Sequence, residues 1–329
     1  MNQLFASIPN NKKIIVQELT ALVEQIVQRT FDFGALTCSE WKGYKFIPLF
    51  EADTAKRAYD NYEFEENTVL LASFPKTGTN WTAEIIRQIF YGQDEKLDAI
   101  SKSIPPALSM LEVWKAEKLD LMEHLPLPRK LFATHLPAEL INIDKLKKKN
   151  GKVVVLVRNP KYQAVSWYHF SKNHHFDSVR DVLSSDWNQF LSDYVQGKHP
   201  LITKPGEWYP EFLLGWNKHK GDSNVMFLIF ENMKKDIKRE IQRLATFLEV
   251  DITDKRVAAI AESTSFGAMK KNAELGVSEF AKVQNIMTMM RKGQVGGWKE
   301  TFTVAQSELM DKIIEEKLGH TDIKFTYML

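Results

Sequence analysis

A polar stretch around residue 76 carries side chains that are well suited to bind an anion. Residues 74–81 read Phe-Pro-Lys-Thr-Gly-Thr-Asn-Trp and follow an apolar run, which predicts a buried strand, a tight loop and a helix start. The first N–H groups of a helix lack intrahelical partners and lie at the positive end of its dipole. Lys76 adds a mobile charge, and Thr77, Thr79 and Asn80 add donors. The stretch therefore predicts a site for a phosphate-like group.

The order of residues separates this loop from the usual ATP-binding loop. A Walker A loop reads Gly-x-x-x-x-Gly-Lys-Ser/Thr, whereas Lys76 precedes Gly78 here. A kinase that uses ATP would need its lysine after the glycine, together with an aspartate for magnesium. Tighter binding of ATP than of a 3′,5′-bisphosphate would favour that alternative.

Two further stretches carry anion-binding residues. Arg158 follows the apolar run at residues 152–157, and Ser166 comes eight residues later in a helical pattern. The run Arg291-Lys292-Gly293 combines two cations with a flexible backbone. An arginine and a hydroxyl can hold one phosphate between them. Together with the loop at Lys76, these stretches predict two separate phosphate sites for one ligand.

His135 is the candidate proton acceptor. It directly follows the apolar run at residues 130–134. Because the carboxyl ends of parallel strands meet at one edge of a sheet, we expect His135 and Lys76 to lie at the same edge. A neutral imidazole, with a reference pKa of about 6.5, can take a proton from a hydroxyl at neutral pH. The alternative is a histidine that only satisfies a buried hydrogen bond. Because no His-x-x-x-His, paired cysteines or binding cluster of carboxylates occurs, the sequence predicts no metal.

The elements that must position these residues alternate between strand and helix. Apolar runs predict strands at 69–74, 130–134, 152–157 and 225–230, and helical patterns occupy 81–90, 179–196, 207–219, 234–248 and 304–317. This alternation predicts an α/β fold with a parallel central sheet flanked by helices and a P-loop-like strand-loop-helix. We expect one domain over residues 1–329, with an N-terminal amphipathic helix within 1–30 and a mobile loop at 272–297.

The composition predicts a soluble globular protein of the cytoplasm. Hydrophobic residues make up 44% of the 329 residues and charged residues 26%. A net charge of +2 gives no general attraction to nucleic acid. Cys38 is the only cysteine, so no internal disulfide forms and a reducing compartment is expected. The N-terminus lacks a long apolar run, so neither secretion nor membrane insertion is expected.

These motifs resemble those of the cytosolic sulfotransferases, whose sulfuryl donor is 3′-phosphoadenosine 5′-phosphosulfate (PAPS). The family's first signature is similar to Tyr-Pro-Lys-Ser-Gly-Thr-Thr-Trp, matched at residues 74–81, and its last, Arg-Lys-Gly-x-x-Gly-Asp-Trp-Lys, is matched at 291–299. Between them, in the family's order, stand Thr-His-Leu-Pro at 134–137, Arg-Asn-Pro-Lys at 158–161, Ser-Phe at 265–266 and Met-Lys-Lys-Asn at 269–272.

The resemblance implies a role for each matched residue. It makes His135 and Lys76 catalytic, and it assigns the 5′-phosphosulfate to Lys76, Thr77, Gly78, Thr79 and Asn80. It assigns the 3′-phosphate to Arg158, Ser166, Arg291, Lys292 and Gly293, and the adenine to Trp81 and Phe266, with Thr264 nearby. The implied reaction moves a sulfuryl group to a hydroxyl or amine of a small apolar acceptor, such as a phenol or sterol-like alcohol. It releases 3′-phosphoadenosine 5′-phosphate (PAP) and needs no metal.

Three positions depart from the family pattern. Ala133 stands where the family usually has a lysine, a second cation near the sulfuryl group, although Arg129 and Lys130 lie close in sequence. Phe230 replaces a tyrosine, and Gly297 replaces an aspartate. The loss at Ala133 keeps open the alternative of a nucleotide-binding module with impaired catalysis.

A segment near the C-terminus resembles the family's dimerisation motif, Lys-x-x-x-Thr-Val-x-x-x-Glu. Lys299, Val304 and Glu308 match its positions. Crossed Lys299 and Glu308 pairs around Val304 would form a small two-fold contact. The alternative is an ordinary helix start, because so small an area is low for a stable dimer.

Overall fold

The computed structural model describes residues 38–47, 50–104, 108–113, 115–172, 186–199, 201–274 and 297–327. The predicted N-terminal helix and nearly all of the predicted loop at 272–297 lie outside these residues. Arg291, Lys292 and Gly293 therefore lie outside them as well.

The described strands and helices alternate along most of the chain. The strands are β1 (Ser39–Trp41), β2 (Tyr44–Phe46), β3 (Val69–Ser73), β4 (Leu131–Thr134), β5 (Lys152–Val157) and β6 (Val225–Ile229). The helices are α1 (Ala52–Asp60), α2 (Thr79–Tyr91), α3 (Glu95–Ser103), α4 (Lys118–Glu123), α5 (Ile143–Lys148), α6 (Pro160–Lys172), α7 (Trp187–Val195), α8 (Tyr209–Asn217), α9 (Phe230–Lys235), α10 (Ile237–Phe247), α11 (Asp254–Ser263), α12 (Phe266–Glu274) and α13 (Val304–Leu318). Two 3₁₀ turns are Ala138–Leu140 and Gly297–Glu300.

Strands β3 to β6 form a parallel sheet in the order β4-β3-β5-β6. Leu70 of β3 lies opposite Phe132 of β4 and Val153 of β5. Every residue of β3 is buried, as expected for a strand covered by helices on both faces. The predicted parallel sheet flanked by helices is confirmed.

Alternating side chains of the sheet enter two hydrophobic cores. Leu70 and Val155 join the core that contains Trp216 of α8. Leu71 and Val154 join the opposite core, which contains Ile85 and Ile86 of α2 together with residues of α10 and α11. Packing on both faces therefore holds β3 in place, and α2 packs in one of the two cores. The position of the loop that joins β3 to α2 is set by these two elements.

Residues 109–113 extend the sheet beyond β4. The Leu111 amide donates to the Ala133 carbonyl at 2.9 Å, and the Ala133 amide donates to the Ser109 carbonyl at 2.9 Å. The segment is fixed on its other side by the Glu51 amide, which donates to the Glu112 carbonyl at 2.7 Å. Glu112 is thereby carried to the edge of the sheet beside the end of β4.

The structure corrects several predicted boundaries. The predicted strand at 225–230 ends at Ile229, and Phe230 begins α9 directly. The predicted helix at 234–248 is divided, because the Asp236 side chain accepts from the Arg239 amide at 3.1 Å and caps a new helix, α10. Helix α2 begins at Thr79, two residues before the predicted start.

Candidate active site

The loop between β3 and α2 has an unusual backbone. Lys76 has a φ of 67° and Gly78 a φ of 115°, both in the left-handed region. A Cβ atom at Gly78 would lie 2.8 Å from Cδ2 of Phe230, and glycine is the residue that adopts this φ without steric cost. The tight turn into α2 therefore requires glycine, as the sequence order Lys-Thr-Gly-Thr suggests.

Three carbonyl groups of this loop are held by side chains. The Gln163 amide donates to the Pro75 carbonyl at 2.8 Å, the Arg158 guanidinium to the Lys76 carbonyl at 2.8 Å, and the Thr77 hydroxyl to the Phe74 carbonyl at 2.7 Å. The first N–H groups of α2 have no partner within the helix. With its carbonyls held, the loop presents donors to an anion.

The predicted donors differ in what they contact. The fully buried Thr77 side chain serves the loop itself through its bond to Phe74. The Thr79 hydroxyl lies 2.8 Å from the Ser73 hydroxyl at the end of β3. Asn80 is exposed at the start of α2. Thr79 therefore joins the loop to the strand end, where His135 is also found.

The pKa of Lys76 is lower than that of an exposed lysine. Its Nζ lies 4.3 Å from the centre of the Phe170 ring. Burial lowers the pKa of Lys76 to about 7, and the nearby positive charge of Arg158 lowers the pKa further in the same direction. An anion between these two cations would reverse the second effect and would keep Lys76 charged.

His135 follows β4 and faces the end of β3. Its Nδ1 lies 2.6 Å from the Ser73 carbonyl, which can only accept, so Nδ1 carries the proton and Nε2 holds a lone pair. The ring meets Phe50 edge to face, with centroids 6.0 Å apart. Burial, and to a smaller extent the charge of Lys76, lowers the pKa of His135 to about 4. The imidazole is therefore neutral at neutral pH, as a proton acceptor must be.

A buried glutamate holds the main chain at His135. Oε1 of Glu112 accepts from the His135 amide at 2.6 Å, and Oε2 accepts from the Thr134 hydroxyl at 2.8 Å. Glu112 is 0% exposed. Sequence reasoning missed this residue, because nothing in residues 108–113 indicates that they pair with β4.

Two aromatic rings and two cations lie together beyond the loop. Trp81 meets Phe230 edge to face, with centroids 5.4 Å apart, and the Arg158 guanidinium lies 4.2 Å from the Phe230 ring. Nζ of Lys234 lies 5.4 Å from the Trp81 ring. Burial, followed by the charge of Arg158, lowers the pKa of Lys234. Lys234 was also missed, although its position on the first helix after β6 could have suggested it.

Arg158 is anchored through its main chain. Its amide donates to the Tyr209 hydroxyl at 2.8 Å, and that hydroxyl donates to the Arg158 carbonyl at 2.9 Å. The next amide, of Asn159, donates to Glu231 at 3.0 Å. These bonds hold the main chain at the end of β5. The Arg158 side chain lies between the Lys76 carbonyl and the Phe230 ring.

The remaining predicted nucleotide residues lie on α6 and around the start of α12, or are not described. Ser166 is half-buried on α6, and Phe266 is half-buried at the start of α12. Thr264 is buried, and its hydroxyl donates to the Ile260 carbonyl at 2.7 Å. The structure brings Lys76, His135 and Arg158 together, and the functional roles of these residues and of Ser166, Thr264 and Phe266 stay predictions.

Neither cation close to Ala133 in sequence takes the place of the family's lysine. Lys130 lies 3.4 Å from Glu65, and the Arg129 guanidinium donates to the Leu248 carbonyl at 2.7 Å. Both precede β4 and so lie at its amino end, opposite His135. Ala133 itself is buried in the core beneath α2.

Among the residues that the structure describes, no three or more His, Cys, Asp or Glu side chains form a group that could hold a metal ion. None of the described helices has the length and apolar character needed to cross a membrane.

Comparison with known proteins identifies the family. The family model described as "Sulfotransferase domain" matches residues 66–322. Among curated relatives, "Cytosolic sulfotransferase 1" of Danio rerio is 31% identical over 302 residues, covering 89% of this chain and 97% of the relative. "Amine sulfotransferase" of Oryctolagus cuniculus is 32% identical, covering 82% of this chain and 87% of the relative. This chain belongs to the sulfotransferase family.

Solved structures agree with that assignment. The crystal structure of mouse sulfotransferase SULT7A1 complexed with PAP superposes with a TM-score of 0.69 at 28% identity, covering 87% of this chain and 96% of that one. A retinol dehydratase in complex with androsterone and PAP has a TM-score of 0.66 at 21% identity, covering 90% of this chain and 94% of that one. The second likeness concerns the fold alone. The chain is a sulfotransferase by family and by fold.

Proposed function

We propose that this enzyme moves a sulfuryl group from PAPS to a hydroxyl or amine of a small apolar acceptor and releases PAP. One observation carries the proposal: His135, at the end of β4, bonds through Nδ1 to the Ser73 carbonyl at 2.6 Å, which places the imidazole at the strand end that leads into the loop of Lys76. An anion-binding loop, a cation and a base at one place suit group transfer from an anionic donor to a hydroxyl.

The donor set fits PAPS in chemistry. The start of α2 and Lys76 would hold the 5′-phosphosulfate, and Arg158 would hold the 3′-phosphate, with Lys234 close by. Trp81, half-buried beside two cations, would stack on the adenine. The mouse sulfotransferase SULT7A1, which was solved in complex with PAP, supports the choice of this nucleotide as the ligand.

The chain's own residues would prepare the acceptor. PAPS supplies an electrophilic sulfuryl group when it is bound. Nε2 of His135 would accept the proton of the acceptor hydroxyl, since Nδ1 is already donating to Ser73. The Lys76 ammonium would neutralise negative charge near the leaving phosphate. No described residue needs to form a covalent bond for this transfer.

The rings near the two reactive groups favour an apolar acceptor. Phe50 lies against His135, and Phe170 lies against Lys76. A phenol or a sterol-like alcohol would place its apolar body against such rings and its hydroxyl toward Nε2. The relative named amine sulfotransferase is the reason to keep amines in the acceptor class.

A direct test uses purified protein, labelled PAPS and a panel of phenols, sterol alcohols and amines. We expect labelled product with at least one acceptor and its loss in His135→Ala. Intact PAP binding without transfer to any acceptor would contradict the proposed activity and favour a binding module. In that case Ala133→Lys decides between the two readings, because restored turnover would identify the missing lysine as the cause.

The same proposal includes a cytoplasmic homodimer. Val304 is 75% exposed at the start of α13, so its apolar side chain is available for a contact with a second copy of the chain. Lys299 and Glu308 are both exposed near it. The name of the relative from Danio rerio supports a cytosolic location. Light scattering of wild type against Val304→Glu tests the dimer, and an unchanged mass would contradict it.

A further inference from the structure

The buried carboxylate of Glu112 bonds to residues of β4 and of the turn that follows it, next to the proposed base. Its two oxygens accept from the His135 amide at 2.6 Å and from the Thr134 hydroxyl at 2.8 Å. The Leu136 amide in turn donates to the Thr134 hydroxyl at 3.0 Å. Three successive residues, 134 to 136, are therefore held through one carboxylate. This is the point where β4 ends and the chain turns.

A second buried charge accompanies Glu112. Lys118, at the start of α4, is 1% exposed, and its ammonium donates to the Met110 carbonyl. Burial raises the pKa of Glu112, whereas the bonds from the His135 amide and the Thr134 hydroxyl, followed by the charge of Lys118, act in the opposite direction. Lys118 also holds the segment that carries Glu112, because its ammonium donates to the carbonyl of Met110, two residues before Glu112.

We propose that Glu112 is a positioning residue for His135 and that Lys118 supports it. The imidazole is fixed at two points: Ser73 holds Nδ1, and Glu112 holds the main-chain amide of the same residue. Both points are needed to aim Nε2, because a ring held only at Nδ1 can still move with its backbone. Charge-assisted bonds to a carboxylate are stronger than neutral ones, which suits this task.

The test compares Glu112→Gln with Glu240→Gln. Glu240 is also buried, at 3% exposure, but it lies on α10 and pairs with Arg243. The proposal expects kcat of Glu112→Gln to fall roughly tenfold to a hundredfold, because a misplacement of about 1 Å can cost that much. The Kd for PAP should change less than about twofold, and Glu240→Gln should keep its kcat. A folded Glu112→Gln with wild-type kcat would overturn the proposal.

A double-mutant cycle separates positioning from general stability. In a His135→Ala background, Glu112→Gln should cause no further loss of kcat, because there is no imidazole left to aim. A further loss of the same size would mean that Glu112 acts elsewhere, and would overturn the proposal. If Glu112→Gln does not fold, Lys118→Met replaces it, with a fall in kcat at unchanged PAP affinity expected and an unchanged kcat contradicting the inference.

This inference rests on the proposed function, and the same cycle keeps their failures apart. If His135→Ala retains wild-type turnover, the proposed role of His135 fails. If His135→Ala loses turnover while Glu112→Gln and Lys118→Met do not, only the role of Glu112 fails.

Discussion

Binding of PAP should draw a proton from solution, because Lys76 is only partly charged in the free protein. Its pKa is lowered to about 7 by burial and by Arg158. A bound bis-anion places negative charge beside the ammonium and raises this pKa. Above pH 7 the Lys76 side chain of the free protein has mostly lost its proton, and the complex regains it.

At pH 8 a group with a pKa of about 7 is about nine-tenths deprotonated, so complete recharging of Lys76 takes up about 0.9 proton per PAP. The choice of pH 8 matters because phosphate monoesters, with a second pKa of about 6, are fully ionised and release none. If Lys76 stays charged in the complex, the Kd should also rise about tenfold between pH 8 and pH 9.

Calorimetry in two buffers of different ionisation enthalpy measures this uptake. Lys76→Met should abolish most of it, whereas Lys235→Met, which removes an exposed lysine of α9, should leave it unchanged. Equal heats in both buffers for the wild type would refute the reasoning about Lys76. Equal uptake in wild type and Lys76→Met would show that another group takes the proton.

Three other substitutions probe the site. His135→Ala should reduce turnover far more than tenfold while leaving the Kd for PAP nearly unchanged; a smaller loss, worth less than about 1.4 kcal/mol, would contradict a role as base. Gly78→Ala forces a Cβ to 2.8 Å from a Phe230 ring atom and should lower the free energy of unfolding by about 1–3 kcal/mol, whereas Gly221→Ala, with nothing within 4 Å of its Cβ, should be mild in the same melting experiment. Lys234→Ala should weaken PAP binding roughly tenfold at low salt and less at high salt; Lys235→Ala is its control, and equal effects of the two would refute a specific contact.

Much of the fold follows from local patterns in the sequence. The strand predicted at 152–157 is β5 in full, because its residues 153–157 are all apolar, as a strand buried on both faces of a parallel sheet requires. The helix predicted at 304–317 is observed as α13, and in the structure its start is capped by Thr303 and Gln306, which form a capping box. The boundary at Phe230 was missed because β6 passes into α9 without a turn residue.

The site was predicted where its residues belong to local motifs and missed where contacts are remote. Lys76, Gly78 and Arg158 lie directly after strands, so the rule about strand ends finds them. Gln163 reaches Pro75 across 88 positions, and Glu112 reaches His135 across 23. Such contacts depend on how α6 and the sheet edge pack, for which no short stretch of sequence provides a signature.

Arg158 links the two regions that are expected to bind the phosphate groups. The guanidinium that is expected to meet the 3′-phosphate also holds the Lys76 carbonyl in the loop expected to meet the sulfuryl group. A shift of the Arg158 guanidinium on binding the 3′-phosphate would therefore move the Lys76 carbonyl and change the conformation of that loop. A donor that lacks the 3′-phosphate would then react slowly even when its phosphosulfate is bound in the loop. The enzyme would discriminate between donors by the rate of transfer as well as by affinity.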